Sequence, residues 1–138
     1  MGYEALDFYD VDSLLTDEER MIRDAVRDWV DESVIPKIEN ACRDGVFLDE
    51  WRQEIGSMGI LGAPLKGYGC PGLSYTAYGV ICRELERGDS GIRSFASVQG
   101  SLAMYPIWDF GSEEQKEKYL PGMATGELIG CFGLTEPD

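Results

Sequence analysis

GSEEQKEKYLPGMATGELIGCFGLTEPD, residues 111–138, decides the fold. Ser112-Glu113-Glu114-Gln115 has the form of a capping box, in which the N-cap hydroxyl and the third-residue side chain satisfy each other's free backbone amides. It predicts a helix opening there and reaching about Ala124. The pattern then changes. Glu127-Leu128-Ile129-Gly130-Cys131-Phe132-Gly133-Leu134-Thr135 is short, apolar and interrupted by glycines, and reads as a β-strand. Glu136-Pro137-Asp138 would begin a turn. A single strand leaves its N–H and C=O groups without ladder partners. The expectation is a mainly α chain: an all-α domain over residues 1–126, then the first strand of an incomplete β-domain over 127–138, the chain being the N-terminal part of a longer protein.

Upstream the signals are helical. Thr16-Asp17-Glu18-Glu19 is another capping box. Met21, Ile22, Ala25, Val26, Trp29, Val30 and Val34 follow at helical spacing and predict one apolar face. Arg20, Arg23, Asp24, Arg27, Asp28 and Asp31 read as the solvated face, and Pro36 is expected to kink or shorten the helix. Further helices are expected over Asp49–Met58, closed by Gly59, then from Ser74 with Tyr78, Ile81, Cys82 and Leu85 on one side, and over Ile92–Ile107 after the break Gly88-Asp89-Ser90-Gly91. GYGCPG, residues 67–72, fits the G-x-G-x-x-G pattern of dinucleotide loops. No buried strand precedes it and Pro71 interrupts it, so it reads as a tight loop joining two helices.

Composition narrows the chemistry. The 138 residues, 43% hydrophobic, suffice for one domain with a core. A net charge of -14 disfavours nucleic acid and anionic membrane surfaces, both of which need basic residues. No apolar run is long enough to span a bilayer, and Met1-Gly2-Tyr3-Glu4 lacks the features of a signal peptide. With no histidine and no C-x-x-C pair, an imidazole-based metal site or a His-activated nucleophile is not expected. Cys42, Cys70, Cys82 and Cys131 read as reduced, mostly buried thiols of a cytoplasmic protein.

The motifs G-S-E-E-Q-K, Y-L-P and G-E-x-x-G-x-F-x-L-T-E-P, in that order, resemble the acyl-CoA dehydrogenase family, flavoenzymes that oxidise acyl-CoA thioesters. YGCPGLSYTAYGVICRELERGDSG, residues 68–91, is similar to the same family's loop and third helix, although Cys70-Pro71 departs from its usual Gly-x-Gly. The resemblance runs from Leu14 onward and implies a helical N-terminal domain, a β-domain and a C-terminal helical domain, the last two beyond Asp138. It implies that FAD lies along Cys131, Phe132, Gly133, Leu134, Thr135, Glu136, Pro137 and Asp138, with Thr135 and nearby backbone bonding the isoalloxazine.

ELERGDSGIRSFASVQGSL, residues 84–102, resembles the glutaryl-CoA dehydrogenase branch. A carboxylate at the far end of a buried acyl chain needs a counter-ion, and arginine provides a planar, permanently charged fork. The resemblance thus implies substrate binding by Arg93, with hydroxyls from Ser94 and Ser97 and with Glu86 orienting the guanidinium. It further implies α-proton abstraction, hydride transfer to the flavin, loss of carbon dioxide to give crotonyl-CoA, electron-transfer flavoprotein as acceptor, and a homotetramer when full length. The base belongs to the C-terminal domain, so no catalytic residue is assigned in this chain. Two other readings stay open: a dehydrogenase for neutral short or branched acyl chains with Arg93 structural, and a non-catalytic helical interaction module.

Overall fold

The computed structural model describes residues 8–135. A short 3₁₀ turn, Val11–Leu14, leads into α1, Asp17–Trp29. Thr16 caps α1: its hydroxyl accepts from the Glu19 amide at 3.2 Å while the Glu19 carboxylate accepts from the Thr16 amide at 3.0 Å. The helix does not stop at Pro36. It passes through a π segment, Val30–Val34, into α2, Ile35–Asp44, where Pro36 occupies the first turn. Proline loses nothing there, because a first-turn amide is where the widened π turn has already broken the regular ladder. Gly45, at φ 67°, closes α2.

α3, Asp49–Ser57, follows, and Gly59 at φ 70° ends it as expected. The GYGCPG stretch is not a plain loop. Lys66–Gly67 and Cys70–Pro71 pair antiparallel as β1 and β2, with Tyr68 at φ 55° and Gly69 at φ 87° between them. Positive φ at both central residues matches the twist of a two-residue hairpin, which a G-x-G-x-x-G reading does not anticipate.

α4, Tyr75–Gly88, is capped by the Ser74 hydroxyl, which accepts from the Ala77 amide at 3.0 Å. Extended Asp89 breaks the chain, and its carboxylate caps α5, Ser90–Ser97, accepting from the Gly91 and Ile92 amides at 2.8 and 3.1 Å. The helix expected over residues 92–107 is in three parts: the end of α5, a second π segment Val98–Met104, and α6, Tyr105–Phe110. α7, Glu113–Ala124, opens on the Ser112 capping box as read from the sequence.

The core gathers Trp51, Ile55, Ile60, Leu61, Ile81, Leu85, Ile92, Met104 and Leu120, each at most 2% exposed. Burial of each large side chain is worth roughly 1.5–3 kcal/mol. The apolar face of α1 is narrower than expected. Val26, Val30 and Val34 are buried, whereas Met21 is 73% exposed and Ala25 is exposed. The buried row runs four residues apart, and Met21 and Ala25 lie one position to its side.

Residues 127–135 form no strand, which corrects the reading of Glu127–Thr135. The physical reason is the one that made a lone strand suspect: the hairpin is the only ladder among the described residues, and it lies elsewhere. The mainly α class itself stands.

Candidate functional site

Two helical rows meet along a seam between α4 and the α5–π–α6 run. α4 contributes Tyr75, Tyr78, Cys82 and Glu86 at helical spacing. The facing run contributes Arg93, Ser97, Ser101 and Tyr105. The rows are antiparallel, because Glu86 bonds Arg93 while Tyr78 reaches Ser101. The Arg93 Nε donates to the Glu86 carboxylate at 2.6 Å, and its Nη1 donates to the Ser97 hydroxyl at 3.4 Å. The Tyr78 and Ser101 hydroxyls are 3.3 Å apart. Beyond them a cleft of about 210 Å³ opens between Pro64, Leu65, Tyr75, Tyr78, Ser101 and Tyr105.

The predicted cluster of Arg93, Ser97 and Glu86 is therefore brought together. Ser94 participates through its backbone: its carbonyl accepts from the Ser97 hydroxyl at 3.1 Å. The Ser90 hydroxyl donates to Glu86 at 2.6 Å, and this bond, followed by Arg93, holds the Glu86 carboxyl below the usual carboxylate range. The Glu86 bond in turn raises Arg93 above the ordinary guanidinium value. Burial pushes Tyr78 and Cys82 up, so both face the cluster in neutral form.

Behind the seam lies a feature the sequence did not expose. Glu84 is 1% exposed and receives three arginines. Arg27 binds it bidentately, Nε and Nη2 each at 3.0 Å; Arg83 and Arg87 donate through Nε at 3.2 and 3.1 Å. Arg87 also pairs with Asp31 at 2.8 Å, and Arg23, whose side chain is 12% exposed, pairs with Asp12. Arg23 and Arg27 thus do not belong to the solvated face assigned to them. Arg27 clamps α1 to α4, and with it the row carrying Glu86, while Arg23 ties α1 to Asp12 in the 3₁₀ turn.

At the other end of the run, a groove of about 450 Å³ is walled by Leu102, Pro106, Ile107, Tyr119 and Met123 on one side and residues 128–132 on the other. Among the expected cofactor residues, Cys131, Phe132, Gly133, Leu134 and Thr135 are all exposed. Phe132 and Leu134 are 50% and 75% exposed, and a Cβ placed at Gly133 would meet open space. Glu136, Pro137 and Asp138 lie outside the described residues. Buried Gln99 holds the root of this segment. Its Nε2 donates to the Met123 and Leu128 carbonyls at 3.0 and 2.8 Å, and its Oε1 accepts from the Gly130 amide at 2.8 Å.

The cysteines are all free, but only Cys70 is buried; Cys82 is half-buried, and Cys42 and Cys131 are exposed. This corrects the expectation of mostly buried thiols: Cys42 lies on the outer side of α2, and residues 131–135 have nothing packed over them. No group of His, Cys, Asp or Glu among the described residues is arranged to hold a metal ion. No helix among them is long and apolar enough to cross a membrane.

The family model for the acyl-CoA dehydrogenase N-terminal domain matches residues 16–127. The chain belongs to the acyl-CoA dehydrogenase family. Within that family it is similar to a glutaryl-CoA dehydrogenase from Mycobacterium smegmatis, solved in complex with FADH2: 50% identity, TM-score 0.92, covering 96% of this chain and 34% of that one. It is also similar to the butyryl-CoA dehydrogenase of Megasphaera elsdenii, at 33% identity and TM-score 0.82, covering 96% of this chain and 34% of that one. A curated acyl-CoA dehydrogenase of Bacillus subtilis is 34% identical over 124 residues, 89% of this chain and 33% of the relative. The chain thus spans about a third of the length of these acyl-CoA dehydrogenases.

Proposed function

We propose that this chain forms the N-terminal helical domain, residues 1–126, and the start of the β-domain, residues 127–138, of a cytoplasmic FAD-dependent acyl-CoA dehydrogenase that oxidatively decarboxylates glutaryl-CoA. The observation that carries the reading is the Glu86–Arg93–Ser97 cluster. Glu86 takes the Nε edge of the guanidinium at 2.6 Å, and Nη1 reaches the Ser97 hydroxyl at 3.4 Å, so two bonds hold the fork. An acyl chain ending in a carboxylate would complete a charge-assisted pair there, and the Ser97 hydroxyl could add a donor by turning its proton from the Ser94 carbonyl to the substrate. Identity of 50% to a glutaryl-CoA dehydrogenase, against 33% to a butyryl-CoA dehydrogenase, supports the same substrate class.

The exposed backbone of Cys131–Thr135 beside an apolar groove fits the edge and face of an isoalloxazine ring. FAD, when bound, would supply the electron sink for the dehydrogenation. The residues of this chain bind and orient. Arg93 and Ser97 fix the far end of the acyl chain, and Glu86 keeps Arg93 in place. Glu84 and Glu86 of α4 are committed to arginines, and the α-proton base, as the family resemblance implies, belongs to the C-terminal domain. The full enzyme passes its electrons to electron-transfer flavoprotein and assembles as a homotetramer. Residues 1–138 alone do not retain FAD, because the remaining walls of its site come from elsewhere.

A neutral-substrate reading has one observation in its favour: Arg93 already has an internal counter-ion in Glu86. The test separates the two. In the full-length enzyme, Arg93→Leu lowers kcat/KM for glutaryl-CoA by the equivalent of roughly 2–5 kcal/mol while sparing butyryl-CoA, and Arg93→Lys restores part of the loss. A ratio of the two substrates unchanged by Arg93→Leu refutes carboxylate recognition.

A further inference from the structure

We infer that Gln99 is a positioning residue for the flavin-contacting segment, taking the place of a strand partner at its root. Residues 127–135 have no ladder, yet two backbone groups at their start, with a third in the last turn of α7, are satisfied by one side chain. Gln99 is 1% exposed. Its amide nitrogen spends both protons on the Met123 and Leu128 carbonyls, and its oxygen accepts the Gly130 amide. The Leu128 amide returns to the Gly122 carbonyl at 2.9 Å, closing the turn after α7. Both amide protons and the amide oxygen are thus engaged. A glutamine is the side chain that presents two donors and one acceptor in a single plane, which is the pattern an adjoining strand edge would offer.

The surroundings make the bond set directional. A Cβ on Gly130 would collide with Ala103 and approach the Met123 methyl at 2.9 Å, so the segment is seated against the second π segment with no room to slide. Gln99 lies in that π segment, Val98–Met104, directly after the α5 residues that hold the Arg93 cluster. One stretch of helix thus carries the acyl-end cluster and the fastening of residues 128–130. This inference rests on the reading that residues 131–138 contact the flavin.

The experiment compares the full-length flavoenzyme with its Gln99→Leu and Gln99→Glu variants. Two quantities are read: amide hydrogen exchange at Gly130, and the dissociation constant for FAD. Gln99→Leu removes all three bonds and is expected to speed Gly130 exchange by roughly a hundredfold and to weaken FAD by about tenfold or more. Gln99→Glu keeps the acceptor for Gly130 but places anionic oxygen against the Met123 and Leu128 carbonyls, and falls between the two. Leu85→Ala, a core truncation away from the segment, lowers Tm and leaves the FAD dissociation constant within about twofold, which separates positioning from general destabilisation. Unchanged Gly130 exchange in Gln99→Leu overturns the fastening. Faster exchange with unchanged FAD affinity overturns the positioning role. A wild-type enzyme that holds FAD while deletion of the residue 131–138 contacts by Thr135→Ala and Leu134→Ala has no effect overturns the flavin reading on which the inference rests.

Discussion

Replacing Glu84 by glutamine keeps its volume and removes its charge. The carboxylate sits at 1% exposure and receives four N–H bonds from three guanidinia, at 3.0 to 3.2 Å. Removing one partner of a buried ion pair costs about 3–5 kcal/mol when the orphaned charge stays dry. Here the arginine side chains are 42%, 44% and 37% exposed, so water recovers part of that loss. We expect about 2–3 kcal/mol. For 138 residues the unfolding entropy is about 0.29 kcal/mol/K, so Tm should fall by about 7–10 °C. Urea unfolding followed by far-UV circular dichroism at neutral pH measures it. The pH dependence supplies a second check. Burial pushes the Glu84 carboxyl up, but Arg27, then Arg87 and Arg83, override it and hold it below the ordinary 4.5. A depressed folded pKa means the stabilisation is complete above the unfolded value and is lost as pH falls through the folded one. The gap between wild type and Glu84→Gln must therefore narrow in acid. A variant within ~0.5 kcal/mol of wild type at pH 7, or a gap that widens in acid, refutes the reasoning.

Two further outcomes follow from packing. Burial raises the Cys70 thiol to about 11, so a thiol reagent under native conditions should label Cys42 and Cys131 first and Cys70 only with global unfolding; equal rates at pH 8, read by mass spectrometry, would contradict the burial. Gly56 lies so close to the Thr125 carbonyl that a Cβ cannot be added without moving the α7 terminus, and Gly56→Ala should cost about 1–3 kcal/mol in urea unfolding, while Gly79→Ala, with nothing near it, should be neutral or slightly stabilising.

Helix starts were legible in the sequence because the capping chemistry is local: Thr16, Ser74 and Ser112 are N-caps in the structure. The Arg93 cluster was legible only through resemblance, since nothing in the spacing of Glu86 and Arg93 says that a helix break will fold one onto the other. Glu84 was not legible at all. It sits three residues after buried Ile81 and next to buried Leu85, but a charged residue among charged neighbours reads as solvated until its distant partner Arg27 is in view. The π segments were hidden for a different reason. They shift the helical period by one residue inside otherwise continuous apolar patterns, and Pro36 pointed to a break where the structure has the first turn of renewed helix. Gln99 was passed over because its value lies in the backbone groups it meets.

The second π segment has a consequence for how such a chain can change by inheritance. A π turn takes one more residue than an α turn for about the same rotation, so Val98–Met104 absorbs an extra residue while Arg93 and Ser97 before it and Tyr105 and Ile107 after it keep their facing. Deleting one residue within it would close the widened turn to a regular helix and leave those flanking faces in register. A single-codon loss here would thus spare the two ends of the run and fall on the turn in between, where Gln99 meets the Met123 and Leu128 carbonyls.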